Sequence, residues 1–143
     1  MDRKRIMVVD DEIHFTRLLK MTLEEGFSYN VLVENDPRRA FDIAIRFQPN
    51  LVLMDVMMPG LDGGALASQF MASAQLRHVP IVFITAAVKR EEVHARQGQI
   101  GGLSFLAKPV DLEELVRCLQ RTLAGECCSQ GTQSASSLRL RQG

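Results

Sequence analysis

Four short stretches of this sequence carry residue types able to handle phosphate and metal. Asp10-Asp11-Glu12 follows the apolar run 6–9, Asp55 follows 51–54, Thr85-Ala86 follows 81–84, and Lys108-Pro109 lies just past 103–106. If those runs are parallel strands of one sheet, their carboxyl ends converge on one edge. Three aspartates in a small cleft repel one another unless a cation compensates them. An all-oxygen, carboxylate-rich set suits Mg2+, which keeps several waters and takes few protein carboxylates. Lys108 adds a fixed positive charge and Thr85 a hydroxyl donor. In that setting Asp55 is a carboxylate nucleophile that can attack phosphorus and form an acyl phosphate. Mg2+ and Lys108 would neutralise charge on the equatorial oxygens, which is most of what a protein supplies to phosphoryl transfer.

The elements that must position these residues follow from the apolar pattern. Residues 6–9 read as a short buried strand, and 11–25 as a helix with Ile13, Leu18, Leu19, Thr22 and Leu23 near helical spacing and Gly26 as its stop. Residues 29–33 form a second strand, and Asp36-Pro37 opens a helix as N-cap and first helical residue. That helix carries Ala40, Phe41, Ala44, Ile45 and Phe47 and ends before Pro49. A third strand, 51–54, leads through the turn signals Pro59-Gly60 and Asp62-Gly63-Gly64 to a short helix over 65–71. Strands at 81–84 and 103–106 flank a marginal fourth helix at 91–96, and Asp111 caps a fifth helix carrying Leu112, Leu115, Val116, Leu119 and Leu123. Near-continuous apolar strands alternating with helices predict a five-stranded parallel sheet covered on both faces. In such sheets ligands sit beyond the carboxyl ends of the strands, where strand order reverses.

Composition narrows the function classes. With 17 basic and 17 acidic residues the formal net charge is zero, so a surface built for direct nucleic-acid binding is not expected. An apolar fraction of 46% and a charged fraction of 24% in 143 residues fit one globular domain. No apolar run is long enough for a membrane span, and the opening MDRKRIMVVDDE does not read as a leader. Cys118, Cys127 and Cys128 form neither a disulfide framework nor a zinc set, which points to a reduced, cytoplasmic setting. His14, His78 and His94 have no partners at metal spacing, and Met54, Met57 and Met58 read as packing and backbone ligation rather than a redox site. The domain is expected over 1–124, with the Gly-, Ser- and Gln-rich 125–143 as a flexible polar tail or linker.

The ordered set VVDDE, VLMDVMMPGLDG, IVFITAA and FLAKP resembles the receiver domain of response regulators, from about Lys4 to Leu123. Each motif alone is weak; four in register, each at a strand end, are specific. The resemblance implies a flavodoxin-like doubly wound (βα)5 fold and a place in a two-component phosphorelay. It assigns Asp55 as phosphoacceptor. It assigns Mg2+ to Asp10, Asp11 and Asp55 with the backbone carbonyl of Met57, Asp11 being the direct ligand of the acidic pair. Thr85 and Lys108 would meet phosphoryl oxygens, and the Lys108-Pro109 bond would be cis. Phe105 falls at the aromatic switch position, where it would move inward as phosphorylated Asp55 draws Thr85 toward itself. Implied partners are a histidine kinase or phosphotransfer protein upstream. Downstream, a protein would bind the face of the fourth helix, fifth strand and fifth helix, and that face leaves a phosphorylation-dependent homodimer open. Phenylalanine at 105, where many relatives carry tyrosine, removes a hydroxyl that could report the state.

Two departures and three rivals complete the reading. The segment 96–102 holds Gly98, Gly101 and Gly102, which would loosen the fourth helix at about 1 kcal/mol per glycine. Met57 and Ala87 offer no acid or amide to place an attacking water, so slow self-dephosphorylation is expected. A phosphatase with an aspartyl-phosphate intermediate would want an acid at position 57, and a binding-only pseudo-receiver would lack one of the acids or the lysine. The chain is therefore expected to be no enzyme with an external substrate. The bland alternative for Asp10-Asp11-Glu12 is that these acids cap and charge the first helix.

Overall fold

The computed structural model describes residues 3–86, 99–100 and 103–125. Two compact units divide the chain, Met1–Phe83 and Ile84–Gly143. The first holds β1 (Arg5–Val9), α1 (Ile13–Phe27), β2 (Asn30–Glu34), α2 (Pro37–Phe47), β3 (Leu51–Asp55), α3 (Gly63–Ala72) and the start of β4 (Ile81–Thr85). The second holds the end of β4, then β5 (Gln99–Ile100), β6 (Leu103–Ala107) and α4 (Leu112–Leu123). Strand order in the first unit is β2-β1-β3-β4, with β1 parallel to both β2 and β3. In the second unit β6 follows β4, and β5 pairs antiparallel with β6. The five longer strands are the parallel strands that the alternation predicts.

Burial explains why the strands read as unbroken apolar runs. Ile6, Met7, Val8 and Val9 are all fully buried, as are Leu51 to Met54. Successive strand residues point to opposite faces, so both faces of β1 and β3 are covered. In α1 the buried stripe is Thr16, Leu19 and Leu23, at intervals of three and four. Leu18, read as part of the core face, stands about 100° around the helix from Leu19 and is 65% exposed, and Ile13 is 54% exposed. Ala40 and Ala44 seat α2, whose Phe41 meets Phe70 of α3 edge to face at 6.0 Å. Leu115, Val116, Cys118 and Leu119 seat α4, while Leu112 is 40% exposed. Phe105 is half-buried, so it is not the core residue that its place in a short strand predicts.

Helix ends differ from expectation where left-handed backbone is involved. α1 runs through Gly26 to Phe27, and Ser28 takes the left-handed C-cap at φ 61°. α2 ends the same way on Gln48 at φ 55°. β5 is an addition to the predicted elements. It falls within 96–102, the glycine-bearing segment that the sequence sets between the expected fourth helix and the last strand. The expected fourth helix at 91–96, together with Ala87, His94, Cys127, Cys128 and all of the tail beyond Gly125, lies outside the described residues.

The first unit also ties α1 to β2. Asn30 N–H bonds inward to the Lys4 carbonyl, so Val31 turns its N–H and C=O away from β1. Glu24 Oε2 accepts the Val31 N–H at 3.0 Å, and Lys20 Nζ donates to the Val31 carbonyl at 2.6 Å. Lys20 and Glu24 pair with each other at 3.0 Å, one helical turn apart. These bonds hold the Glu24 carboxyl below the usual glutamate range, the Val31 N–H being the larger cause and Lys20 the next.

Candidate functional site: an acidic cluster at the strand ends

Register in the sheet creates the cluster. Val9 of β1 lies opposite Met54 of β3, so Asp10 and Asp55 leave adjacent strands side by side. Asp11, one residue on, brings a third carboxylate, and ligand oxygens of Asp10, Asp11 and Asp55 all lie within 4.8 Å of one another. Asp10 is 1% exposed and Asp55 is 5% exposed. Two like charges at such a separation repel by roughly 3 kcal/mol at an effective dielectric constant near 20. The donor set is one that a hard, oxygen-ligated cation satisfies, and Mg2+ fits it.

Backbone amides orient the two buried carboxylates. Asp10 Oδ1 accepts the Glu12 N–H at 2.9 Å, and Asp55 Oδ1 accepts the Met57 N–H at 3.3 Å. The Met57 side chain is 64% exposed, while Met54 and Met58 are buried. The chain beyond Asp55 turns through Gly60 at φ 90° and re-enters a helix at Gly63, whose N–H donates to the Val56 carbonyl at 2.8 Å. Asp62 caps α3 by accepting the Ala65 N–H at 2.7 Å.

Two residues that bear on the cluster escaped the sequence reading. A side chain on Gly63 would press on the Asp55 carbonyl oxygen and come within 2.9 Å of Val56 Cα, so only glycine lets α3 start this close to the end of β3. Its signal was a glycine at the first turn of a helix, read only as part of a turn. Asn35, just past β2, donates its side-chain amide to the Asp10 carbonyl at 2.7 Å and to Thr16 Oγ1 at 3.0 Å. Nothing in its type or spacing marked it.

The second unit holds the remaining expected residues. Thr85 is 1% exposed at the end of β4, and its carbonyl accepts the Lys108 N–H at 3.0 Å. The Lys108-Pro109 peptide bond is cis, as expected. Lys108 and Phe105 are both half-buried. The structure thus gathers Asp10, Asp11 and Asp55 in the first unit and joins Thr85 to Lys108 in the second.

Known proteins are similar to this chain in sequence and fold. Residues 6–120 match the sequence profile of the response regulator receiver domain. The response regulator PleD of Caulobacter vibrioides is 40% identical over 108 residues, covering 75% of this chain but only 23% of PleD. PilH of Pseudomonas aeruginosa is 32% identical over 123 residues, 85% of this chain and 98% of PilH. The chain therefore spans about a quarter of one relative and nearly all of the other. Among solved structures, the receiver domain of the sensor histidine kinase PA1611 of Pseudomonas aeruginosa has a TM-score of 0.71 at 29% identity, covering 86% of this chain and 99% of that one. That domain carries a magnesium ion coordinated in its active site cleft. Receiver domains bind Mg2+ at an acidic site and work with histidine kinases and downstream effectors, and the aspartate cluster here fits a phosphorylation site. With the fold, the cluster and the match over 6–120 in agreement, this chain belongs to the response regulator receiver domain family.

Proposed function

We propose that this receiver domain accepts a phosphoryl group on Asp55 from a histidine kinase or phosphotransfer protein and switches a partner-binding surface in response. The observation that carries the reading is the meeting of three carboxylates within 4.8 Å at the ends of two adjacent parallel strands. An Asp55 oxygen forms a bond to phosphorus as the phosphorus–nitrogen bond of phosphohistidine breaks, and the freed imidazole nitrogen takes up a proton. Asp10, Asp11, Asp55 and the Met57 carbonyl would hold Mg2+, which supplies positive charge toward the phosphoryl oxygens. Asp55 Oδ1 accepts the Met57 N–H, which orients the carboxylate proposed as nucleophile. Thr85 and Lys108 take the two phosphoryl-oxygen roles that the family assigns them.

The switch uses Thr85 and Phe105. Phe105 is half-buried, so it still has surface to lose by moving inward, which supports a two-position ring. The partner surface it would change includes the face of β6 and the helix α4, read by a downstream protein or a second copy of the chain. The phosphoryl group is turned over on the protein itself, with no external substrate. The working unit is 1–124, with 125–143 as tail or linker, in the cytoplasm. No helix of the described residues is long and apolar enough to cross a membrane.

Intact-mass spectrometry after incubation with Mg2+ and acetyl phosphate tests the acceptor. One phosphoryl adduct is expected on the wild type, absent with EDTA and absent in Asp55→Ala. An adduct that survives Asp55→Ala would put the nucleophile elsewhere. A wild type that takes no phosphoryl group from acetyl phosphate or from a kinase would leave a binding-only module.

A further inference from the structure

The bonds around Asp10 go further than the family assignment. Both peptide groups of this residue are pinned by the end of β2: its N–H donates to the Glu34 carbonyl at 3.3 Å, and its carbonyl accepts the Asn35 amide at 2.7 Å. The other hydrogen of that amide goes to Thr16 Oγ1 at 3.0 Å, and the Thr16 hydroxyl donates in turn to the Ile13 carbonyl at 3.1 Å. Asn35 therefore grips both ends of the turn that carries the acidic pair, Asp10 at its start and the first turns of α1 at its close. Within the turn itself, Asp10 Oδ1 accepts the Glu12 N–H at 2.9 Å, and Glu12 at the N-cap makes no side-chain capping bond.

We propose that Asn35 is a positioning residue for the metal-binding acids. By fixing the Asp10 carbonyl and the α1 terminus together, it sets where the carboxylates of Asp10 and Asp11 stand relative to Asp55. The proposal rests on the reading that this cluster holds Mg2+. Residues that orient metal ligands without touching the metal are worth about 10- to 100-fold in affinity when removed. Asparagine suits the task because both bonds need a donor and neither adds charge to an already acidic cleft.

The test titrates the full chain with Mg2+ alone, followed by NMR of the Asp10 and Asp11 amides, alongside thermal unfolding. Asn50→Ala is the matched control. Asn50 Oδ1 accepts the Arg5 N–H at 2.8 Å, a side-chain grip of the same kind at the opposite end of β1. Asn35→Ala is expected to weaken Mg2+ binding about tenfold, whereas Asn50→Ala lowers the melting temperature and leaves Mg2+ affinity at the wild-type value. Should Asn35→Ala fail to fold, Asn35→Ser is read in the same way. Wild-type affinity in a folded Asn35 variant would overturn the proposal, as would equal weakening by both variants, because the effect would then pass through stability. A wild type that binds no Mg2+ at all would overturn the reading of the cluster itself, and this proposal with it.

Discussion

The start of α1 and the starts of the other helices are built on different terms. α2, α3 and α4 each open on an aspartate that accepts backbone N–H groups of its own first turn: Asp36 from Arg38, Asp62 from Ala65, and Asp111 from Glu113 and Glu114. α1 opens beside three acids in a row, yet Glu12 at the cap makes no such bond. Asp10 spends its Oδ1 on the Glu12 N–H, which belongs to the cap residue and lies before the helix. The Glu12 side chain therefore does not cap the helix, whatever the three acids contribute through their charge. Capping and cation binding compete for the same oxygens, and at this one terminus the helix is held instead through β2, by Asn35 at its start and by Val31 further along.

That contrast can be pushed on from several sides. The largest effect is expected where a helix start approaches the site most closely. Gly63→Ala would force α3 off the Asp55 carbonyl and cost about 2 kcal/mol or more by overpacking, seen as a lower urea midpoint together with a slower gain of the acetyl phosphate adduct. A variant of wild-type stability would mean that α3 is not seated against the acceptor strand as tightly as its geometry requires. The caps come next. Asp111→Ala should cost about 1 kcal/mol, while Glu12→Ala should change stability by less than about 0.5 kcal/mol; equal losses in urea unfolding would erase the distinction between the two kinds of helix start.

A smaller and pH-dependent effect is expected at Glu24. Its carboxyl is held below the ordinary value of 4.5 in the folded chain, so the folded state favours the ionised form. That contribution is complete above the unfolded pKa and is lost as pH falls through the lower, folded one. Glu24→Gln should cost on the order of 1 kcal/mol at neutral pH, and the gap from wild type should close as the pH falls below the ordinary carboxyl value and through the lower, folded one. A gap that is flat through that window would mean that the carboxylate charge contributes nothing to the grip on β2.

The fold was legible because the strands announce themselves. Runs such as 6–9 and 51–54 are apolar throughout since both faces of β1 and β3 are covered, and the acids stand out at their ends. The aspartate caps of α2 and α4 were readable for the same local reason, a side chain bonding to backbone two or three residues on. What sequence could not give is long-range. The pairing of Val9 with Met54 decides that Asp10 and Asp55 become neighbours, and no spacing along the chain encodes it. Asn35 acts across 25 positions, and Gly63 is needed because of a strand that it does not follow directly. Ser28 and Gln48 adopt left-handed backbone that glycine would have advertised. Leu18 and Ile13 were miscounted because apolar type suggests burial, whereas helix phase decides it.

The Lys20–Glu24 pair has a consequence beyond anchoring a helix. β2 ends the strand order on its side, and a terminal strand with open amides and carbonyls is a template on which another extended chain can add itself. Here the outward pair at Val31 is already occupied by a cation and an anion from the same molecule. A would-be additional strand must displace both charges and recover neither. At that position the border is guarded against strand addition, so an added strand would have to pair with β2 without the Val31 groups.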